Sequence, residues 1–241
     1  MSATNDLLTL WERAACTTPP ERDEALLAAA YDAAPSSLGA RNAALLVLRG
    51  RLFGNTQPLR CNCPHCDATA EFSIDCDSMS RALLPSAAAT QPQRLGAEGH
   101  CIEFRLPDAA DVRAAASQAD GDMTFVQVLL KRCVTRCIRD DGTPCAPSDL
   151  PAKVAEALSR RMEELEPGAS VSFDLTCPDC AGHWTAPMNV GEVVWSELQS
   201  RAERLLLDVD ALARAYGWSE SDVLALSPTR RAAYLQLAGA L

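Results

Sequence analysis

The stretch LRCNCPHCDATAEFSID, residues 59–75, contains the motif on which the interpretation of the whole chain depends. At its centre Cys63 and Cys66 are separated by a proline and a histidine, and the residues after them alternate between apolar and polar. A C-x-x-C pair of this kind is either a redox-active dithiol or one half of a metal site. The choice between these two chemistries decides whether the sequence describes an enzyme.

A second cysteine pair lies in the stretch CPDCAGHWTAPMN, residues 177–189, about 110 residues after the first. Each pair is followed by residues that suit a strand. The apolar positions of these strands are Ala70, Phe72 and Ile74 in the first copy and Trp184, Ala186 and Met188 in the second. Large and small residues are partly exchanged between the copies, as expected if the strands pack on one another or on a shared core.

Two C-x-x-C turns supply what a structural zinc ion requires, which is four soft ligands in a tetrahedron. The sequence therefore predicts a structural Zn²⁺ site with four ligands: Cys63, Cys66, Cys177 and Cys180. Closing a loop of about 110 residues costs about 1.5 kcal/mol more than closing a common 20-residue one, against roughly 10–16 kcal/mol for zinc binding in small fingers. Because four cysteines leave no position for water, a catalytic zinc is not expected.

A redox role for either pair remains an alternative, as do thiols that hold no metal. Redox chemistry requires the first cysteine to lie at the start of a helix, where the helix dipole lowers its pKa. Neither pair is followed by a helical pattern. Among substitute ligands, His65 is expected to be exposed and His183 to be a strand-edge residue, while Cys61 has no counterpart near the second pair.

The chain contains eleven cysteines, a large and odd number. Without a signal sequence, cellular reductants would keep them as thiols, so a disulfide framework is not expected. Seven of them belong to neither pair and are interpreted as small core side chains or surface thiols: Cys16, Cys61, Cys76, Cys101, Cys133, Cys137 and Cys145.

The composition argues against two classes of partner. The formal net charge is −10 and the lysines and arginines are scattered, so the sequence has no basic patch for nucleic acid or anionic membranes. The N-terminus lacks the pattern of a secretory signal, and no segment approaches the roughly 20 apolar residues that span a bilayer. We therefore expect a cytoplasmic protein that binds neither nucleic acid nor membrane.

Hydrophobic periodicity predicts an α+β protein that is mostly helical. Helices are expected before residue 17 and over residues 19–33, 38–53, 108–117, 123–138, 150–166, 193–216, 219–226 and 228–237. Strands are expected over residues 70–75, 100–106, 171–176 and 183–189, and residues 80–97 are expected to form a loop or a weak helix. Asp108, Ser219 and Ser227 are predicted to begin helices, and Asp141-Gly142 is predicted to form a turn.

These elements predict one intertwined domain built from four parts. Residues 1–57 would form an N-terminal helical segment and residues 192–241 a C-terminal one. Residues 58–78 and 170–191 would together form a small antiparallel, zinc-ribbon-like element, and residues 79–169 would be a strand and helices inserted between its halves.

Acidic groups are the remaining candidates for catalysis. They are Asp140-Asp141 beside a turn and Glu163, Glu164 and Glu166 at the end of a helix. Acids in such places are usually solvated, and no nucleophile and base accompany them. The sequence therefore predicts neither catalytic residues nor a small-molecule substrate.

Several stretches together resemble a known family. They are the first C-x-x-C pair with its EF strand, a strand ending in LP, DLTCPDC at 174–180 with HW after it, VVWSEL at 193–198 and LLLDVDALARAYGWSESDVLALSPTRRAAYLQL at 205–237. Over nearly the whole chain the sequence resembles the baseplate hub assembly chaperones of the T-even phage type, found with contractile phage tails and contractile injection systems. The glycine that usually follows each cysteine pair is absent here, where Asp67 and Ala181 stand instead.

The resemblance implies a non-enzymatic chaperone or adaptor that binds tail, hub or baseplate proteins in the producing bacterial cell. A permanent minor baseplate subunit, associated with the particle, is the alternative; a zinc-ribbon nucleic-acid-binding protein and a thiol oxidoreductase are weaker ones. Contact with a tail protein is expected at the C-terminal segment, through Trp218, Arg230, Arg231 and Tyr234. The competing interpretation is that these aromatic side chains only pack the last helices together.

Overall fold

Helices make up most of the structure, a computed structural model that describes residues 3–86, 91–118 and 124–239. The helices in these ranges are α1 (Ala3–Ala15), α2 (Pro19–Ala30), α3 (Leu38–Phe53), α4 (Cys76–Ala82), α5 (Ala109–Gln118), α6 (Phe125–Cys133), α7 (Ala152–Leu165), α8 (Val190–Tyr216), α9 (Glu220–Ala225) and α10 (Pro228–Ala238). No helix in this part of the chain combines the length and the apolar character needed to cross a membrane.

Within the described residues, the strands form three small antiparallel sheets. They are β1 (Thr56–Asn62), β2 (Thr69–Asp75), β3 (Gln93–Ala97), β4 (His100–Phe104), β5 (Val134–Arg139), β6 (Val171–Thr176) and β7 (His183–Met188). β1 pairs with β2 and β6 pairs with β7, each as a two-stranded hairpin, while β3, β4 and β5 form a sheet in that order. The predicted class, α+β and mostly helical, is confirmed.

The chain divides into two compact units. The first consists of Met1–Asp32 with Gly191–Leu241, and the second of Ala33–Val190. The boundary divides the predicted N-terminal segment, because α1 and α2 belong to the first unit and α3 to the second. That all four predicted parts form one intertwined domain stays a prediction.

In the first unit, α8 presents its apolar stripe to α1 and α9. Leu8, Ala202, Leu205 and Leu224 form a buried cluster there. The predicted start of α9 is confirmed, since the hydroxyl of Ser219 accepts the N–H of Asp222 (3.3 Å) and the Ser219 N–H donates to the Asp222 carboxylate (3.0 Å). Such reciprocal caps satisfy backbone donors that the first turn of a helix leaves free.

In the second unit, α3 begins and ends where the sequence predicts. The hydroxyl of Ser37 accepts the N–H of Ala40 at 3.3 Å and so caps its first turn. Gly54 ends the helix with a φ of 93°, a conformation that residues with a Cβ rarely adopt.

The sheet of β3, β4 and β5 packs against α6 and α7 around an apolar core. Ile102 and Phe104 of β4 are fully buried there, together with Leu130 of α6 and Leu158 of α7. Asp108 accepts the N–H of Asp111 at 2.9 Å, so the predicted cap of α5 is confirmed.

One predicted loop contains a strand. Residues 80–97, expected to be a loop or a weak helix, include the end of α4 and a loop but also all of β3, and residues 87–90 lie outside the described residues. β3 pairs with β4 across a turn in which Glu98 and Gly99 have φ values of 47° and 74°. The prediction was wrong there because β3 has no β-branched residue and is stabilised by its partner strand.

One predicted helix is too long. The helix expected over residues 123–138 ends at Cys133, and the chain continues directly into β5; residues 119–123 lie outside the described residues. β5 pairs with β4, with Cys137 opposite Ile102. Tertiary pairing of the β-branched residues Val134, Thr135 and Ile138 therefore outweighs the helical spacing that precedes them.

Candidate metal centre

Each cysteine pair forms the tight turn at the tip of a hairpin. In the first hairpin, the N–H of Cys63 donates to the carbonyl of Ala68 (2.9 Å) and the N–H of Asp67 donates to the carbonyl of Cys63 (2.9 Å). The N–H of His65 points at the sulfur of Cys63, 3.4 Å away. The turn therefore holds its first sulfur in a fixed position and directs a backbone dipole toward it.

The turn of the second hairpin has the same two backbone hydrogen bonds as the first. The N–H of Cys177 donates to the carbonyl of Gly182 (2.9 Å), and the N–H of Ala181 donates to the carbonyl of Cys177 (3.0 Å). The N–H of Cys180 lies 3.5 Å from the sulfur of Cys177. The internal repeat seen in the sequence is thus also a repeat in three dimensions.

Both turns contain a non-glycine residue in the left-handed region of backbone conformation. Asp67 has a φ of 60° and Ala181 a φ of 56°, and each directly follows the second cysteine of its pair. A left-handed residue with a Cβ costs about 1–2 kcal/mol. The turns form in spite of this cost, because the hydrogen bonds at both ends of each turn fix the backbone.

The two hairpins bring all four predicted ligands together. The sulfurs of Cys63, Cys66, Cys177 and Cys180 lie within 4.8 Å of one another. The Cys63 and Cys180 sulfurs are 3.7 Å apart, and the Cys66 and Cys177 sulfurs 3.6 Å apart. A tetrahedral zinc ion with Zn–S bonds of about 2.3 Å needs sulfurs about 3.8 Å apart. The cluster therefore has the dimensions of a metal site, and four cysteines could hold a metal ion there.

The cluster has an inner and an outer side. Cys63 and Cys177, the first residue of each pair, are only 2% exposed, whereas Cys66 and Cys180 face solvent. Phe72 of β2 and Phe173 of β6 are in contact, with ring centroids 5.1 Å apart and the rings edge to face. This contact joins β2 to β6, the strand before the second cysteine pair. The expected packing of β2 on the strand after that pair, β7, stays a prediction.

The thiols differ in acidity without a metal. The N–H of Cys180, then that of Asp179, lowers the pKa of the Cys177 thiol to about 7 despite its burial. At Cys66 the N–H of Ala68 lowers the pKa, but the neighbouring sulfurs of Cys177 and Cys180 outweigh it and raise the pKa to about 12. Because a metal ion binds thiolates, metal binding at this cluster would release protons.

The substitute ligands are not part of the cluster in the described chain. Cys61 lies in β1 outside the four-sulfur group. His183 lies at the start of β7 with its Nδ1 2.9 Å from the hydroxyl of Thr176, which confirms the strand-edge interpretation. His65 is exposed, as predicted, and its Nε2 lies 3.5 Å from the carbonyl oxygen of His183.

The other cysteines fit their predicted roles. Cys76, Cys133, Cys137 and Cys145 are buried, and Cys16 and Cys101 are exposed. Burial raises the pKa of the Cys133 thiol to about 12, which makes it unreactive at neutral pH. These residues behave as core side chains and surface thiols.

One of the predicted solvated acids is buried. Glu166 is 1% exposed and accepts the N–H of Gly39, in the first turn of α3, at 2.8 Å. The prediction of a solvated helix end was therefore wrong for this residue, although Asp140, Asp141, Glu163 and Glu164 are exposed. Glu166 compensates for a free backbone donor of a helix that is 127 residues away in sequence.

Most of the predicted partner-binding residues make contacts with other residues of the C-terminal segment. Trp218 stacks on Tyr216 at 4.8 Å between ring centroids and meets Tyr234 edge to face at 4.9 Å. Arg231 donates to the carboxylate of Asp208 at 3.0 Å. Only the competing interpretation, packing of the last helices, is supported by these contacts, and Arg230 remains an exposed candidate for partner binding.

Comparison of the chain with protein-family models, with curated proteins and with solved structures gave no match.

Proposed function

We propose that this protein is a non-enzymatic assembly factor, a chaperone or adaptor for the baseplate or hub of a contractile phage tail or contractile injection system. Its four-cysteine cluster holds a structural Zn²⁺. The observation that carries the metal assignment is the convergence of four sulfurs, from turns about 110 residues apart, within 4.8 Å of one another.

Zinc suits this cluster better than calcium or magnesium. Four thiolates in a tetrahedron select zinc or iron, and calcium or magnesium requires oxygen ligands. Four protein ligands also complete the coordination shell, so no position is left for the water that a catalytic zinc activates. The ion therefore has an architectural role, and the two hairpins with their shared metal form a composite, zinc-ribbon-like element.

The assembly role is supported by the resemblance to the baseplate hub assembly chaperones. A metal used for architecture agrees with a protein whose task is to bind other proteins. The protein acts in the cytoplasm of the producing bacterial cell, where tail assembly takes place and where thiols stay reduced.

One experiment tests both parts of this proposal. The protein is co-expressed with the neighbouring tail genes and pulled down, and zinc is measured by mass spectrometry on the same sample. We expect about one zinc ion per chain and co-purification of a hub or baseplate protein. A sample without zinc would contradict the metal assignment, and a sample without a tail protein would contradict the assembly role.

The same material separates the proposal from its alternatives. A permanent baseplate subunit would be present in stoichiometric amount in purified particles, whereas an assembly factor would be absent or scarce. Binding to nucleic acid at low salt, where such binding is strongest, would favour the nucleic-acid alternative. Turnover of a dithiol substrate would favour the oxidoreductase.

A further inference from the structure

The side chain of His65 reaches from the first cysteine turn to the second. A Cβ placed on Gly182 would lie 2.6 Å from Cδ2 of His65 and 3.3 Å from the sulfur of Cys180. The imidazole ring therefore fills the space beside Gly182, next to the Cys180 sulfur. Its Nε2 also lies 3.5 Å from the carbonyl oxygen of His183.

This contact breaks the symmetry of the repeat. In the second turn Asp179 takes the place of His65, and in the first turn Ala68 takes the place of Gly182. The imidazole ring therefore occurs only in the first turn, and the glycine that leaves space for it occurs only in the second. Because a Cβ at Gly182 would collide with the ring, the glycine is needed for close approach rather than for its own backbone conformation.

The sulfur beside the ring belongs to the exposed side of the cluster. Cys63 and Cys177 are protected by burial, whereas Cys66 and Cys180 are exposed. A chelator or oxidant must approach the metal through that side. A ring packed beside the Cys180 sulfur restricts the approach and keeps the two turns together.

We propose that His65 is a positioning residue that shields one side of the Cys180 sulfur and slows the loss of the metal ion, without being a ligand. This inference rests on the proposed structural zinc site. It gives the histidine of the first cysteine pair a role that depends on the second pair.

The test uses the full-length, zinc-loaded protein and follows zinc transfer to an excess of the chromogenic chelator 4-(2-pyridylazo)resorcinol. His65→Ala is expected to speed zinc release about tenfold, the lower end of what outer-shell partners contribute to metal sites. Zinc stoichiometry and the cobalt-to-thiolate charge-transfer spectrum should not change, since all four cysteines remain. Asp179→Ala, at the equivalent position of the other turn, should release zinc at the wild-type rate.

A second pair of variants tests the contact from its other side. Gly182→Ala should displace the ring and speed release to a similar degree, whereas Ala68→Gly should not. The double variant that carries both His65→Ala and Gly182→Ala should release zinc no faster than either single variant, because both substitutions remove the same contact.

The outcomes separate this inference from the metal assignment. If His65→Ala released zinc at the wild-type rate, the proposed role of His65 would be wrong, but the proposed zinc site would not be contradicted. If His65→Ala changed the cobalt spectrum to that of a different ligand set, His65 would be a ligand and the inference would also fail. If the wild-type protein bound neither zinc nor cobalt, the proposed zinc site and this inference would fail together.

Discussion

Two β-structured regions of the second unit are stabilised in different ways. In the sheet of β3, β4 and β5, Ile102 and Phe104 are fully buried against helices α6 and α7. In the hairpins β1–β2 and β6–β7, most side chains are exposed or only half-buried. An isolated two-stranded hairpin is marginally stable in water. The sheet is thus stabilised by its apolar core, whereas the hairpins lack such a core and, on the proposed function, depend on a metal ion held by the four sulfurs at their tips.

Removal of the proposed zinc ion should have the largest effect on amide hydrogen exchange, and this effect should be confined to the hairpins. Structural zinc contributes roughly 10–16 kcal/mol in small zinc-binding domains, more than any single side chain. A chelator, or the variant Cys63→Ser, should therefore speed amide hydrogen exchange over residues 56–75 and 171–188. Exchange over β4 and β5 should remain slow, as measured by mass spectrometry of peptides from both regions.

Cys61→Ser is the matched control, because Cys61 lies close to the first turn but outside the four-sulfur cluster. Its hydrogen exchange should match that of the wild-type protein. After chelation, the hairpins of the Cys63→Ser variant and of the wild-type protein should exchange amide hydrogens at the same rate. Equal protection of the hairpins with and without metal would contradict the contrast between the two regions.

Phe104→Ala should have the next largest effect, this time in the sheet. The phenylalanine is fully buried, and such truncations cost about 3–5 kcal/mol. Urea unfolding should show a loss of this size whether or not metal is bound. Phe125→Ala is the control, since Phe125 is 40% exposed and its loss should cost less than about 1 kcal/mol. A metal-dependent effect of Phe104→Ala would show that the two regions are not independent.

Asp111 provides a polar interaction in the sheet region. Its side chain is buried and accepts hydrogen bonds from Arg105 (2.5 and 2.9 Å) and Arg132 (2.8 Å). Asp111→Asn should cost about 2 kcal/mol, the scale of hydrogen bonds to a charged group. Urea unfolding at neutral pH measures this loss, and Asp140→Asn, at an exposed acid, is its control.

The same residue gives the stability a defined pH dependence. The hydrogen bonds from Arg105 hold the pKa of Asp111 well below its usual value in the folded protein. A lowered folded-state pKa stabilises the fold above the unfolded-state value, near pH 4, and this contribution is lost as the pH falls below it. The difference in unfolding free energy between wild type and Asp111→Asn should therefore shrink below about pH 4. A constant difference down to pH 2 would contradict this linkage.

Local signals in the sequence were sufficient for much of the fold. The serine and acid at Ser219 and Asp222 predicted the start of α9, and the apolar stripe from Leu38 predicted α3. The four cysteines of the cluster were predictable because the C-x-x-C spacing is itself a local property of each turn. Each of these features is determined by residues a few positions apart.

The features that could not be predicted depend on distant partners. β3 forms because β4 pairs with it, and its own residues favour no strand. Glu166 is buried because it caps a helix 127 residues away, which no local pattern indicates. His65 meets Gly182 only after the two hairpins have come together. In each case the conformation depends on a residue or strand that the local sequence pattern does not identify as the partner.

The contact between Phe72 and Phe173 should have the smallest effect, and it measures how much the hairpins hold together without metal. Edge-to-face aromatic pairs contribute about 0.5–1.5 kcal/mol beyond the area they bury. A double-mutant cycle with Phe72→Leu and Phe173→Leu should give a coupling energy of about 1 kcal/mol in the zinc-loaded protein. In metal-free protein the coupling should vanish, because separated hairpins no longer bring the rings to 5.1 Å. Coupling that persisted after chelation would mean that the aromatic contact, rather than the four sulfurs, is sufficient to join the hairpins.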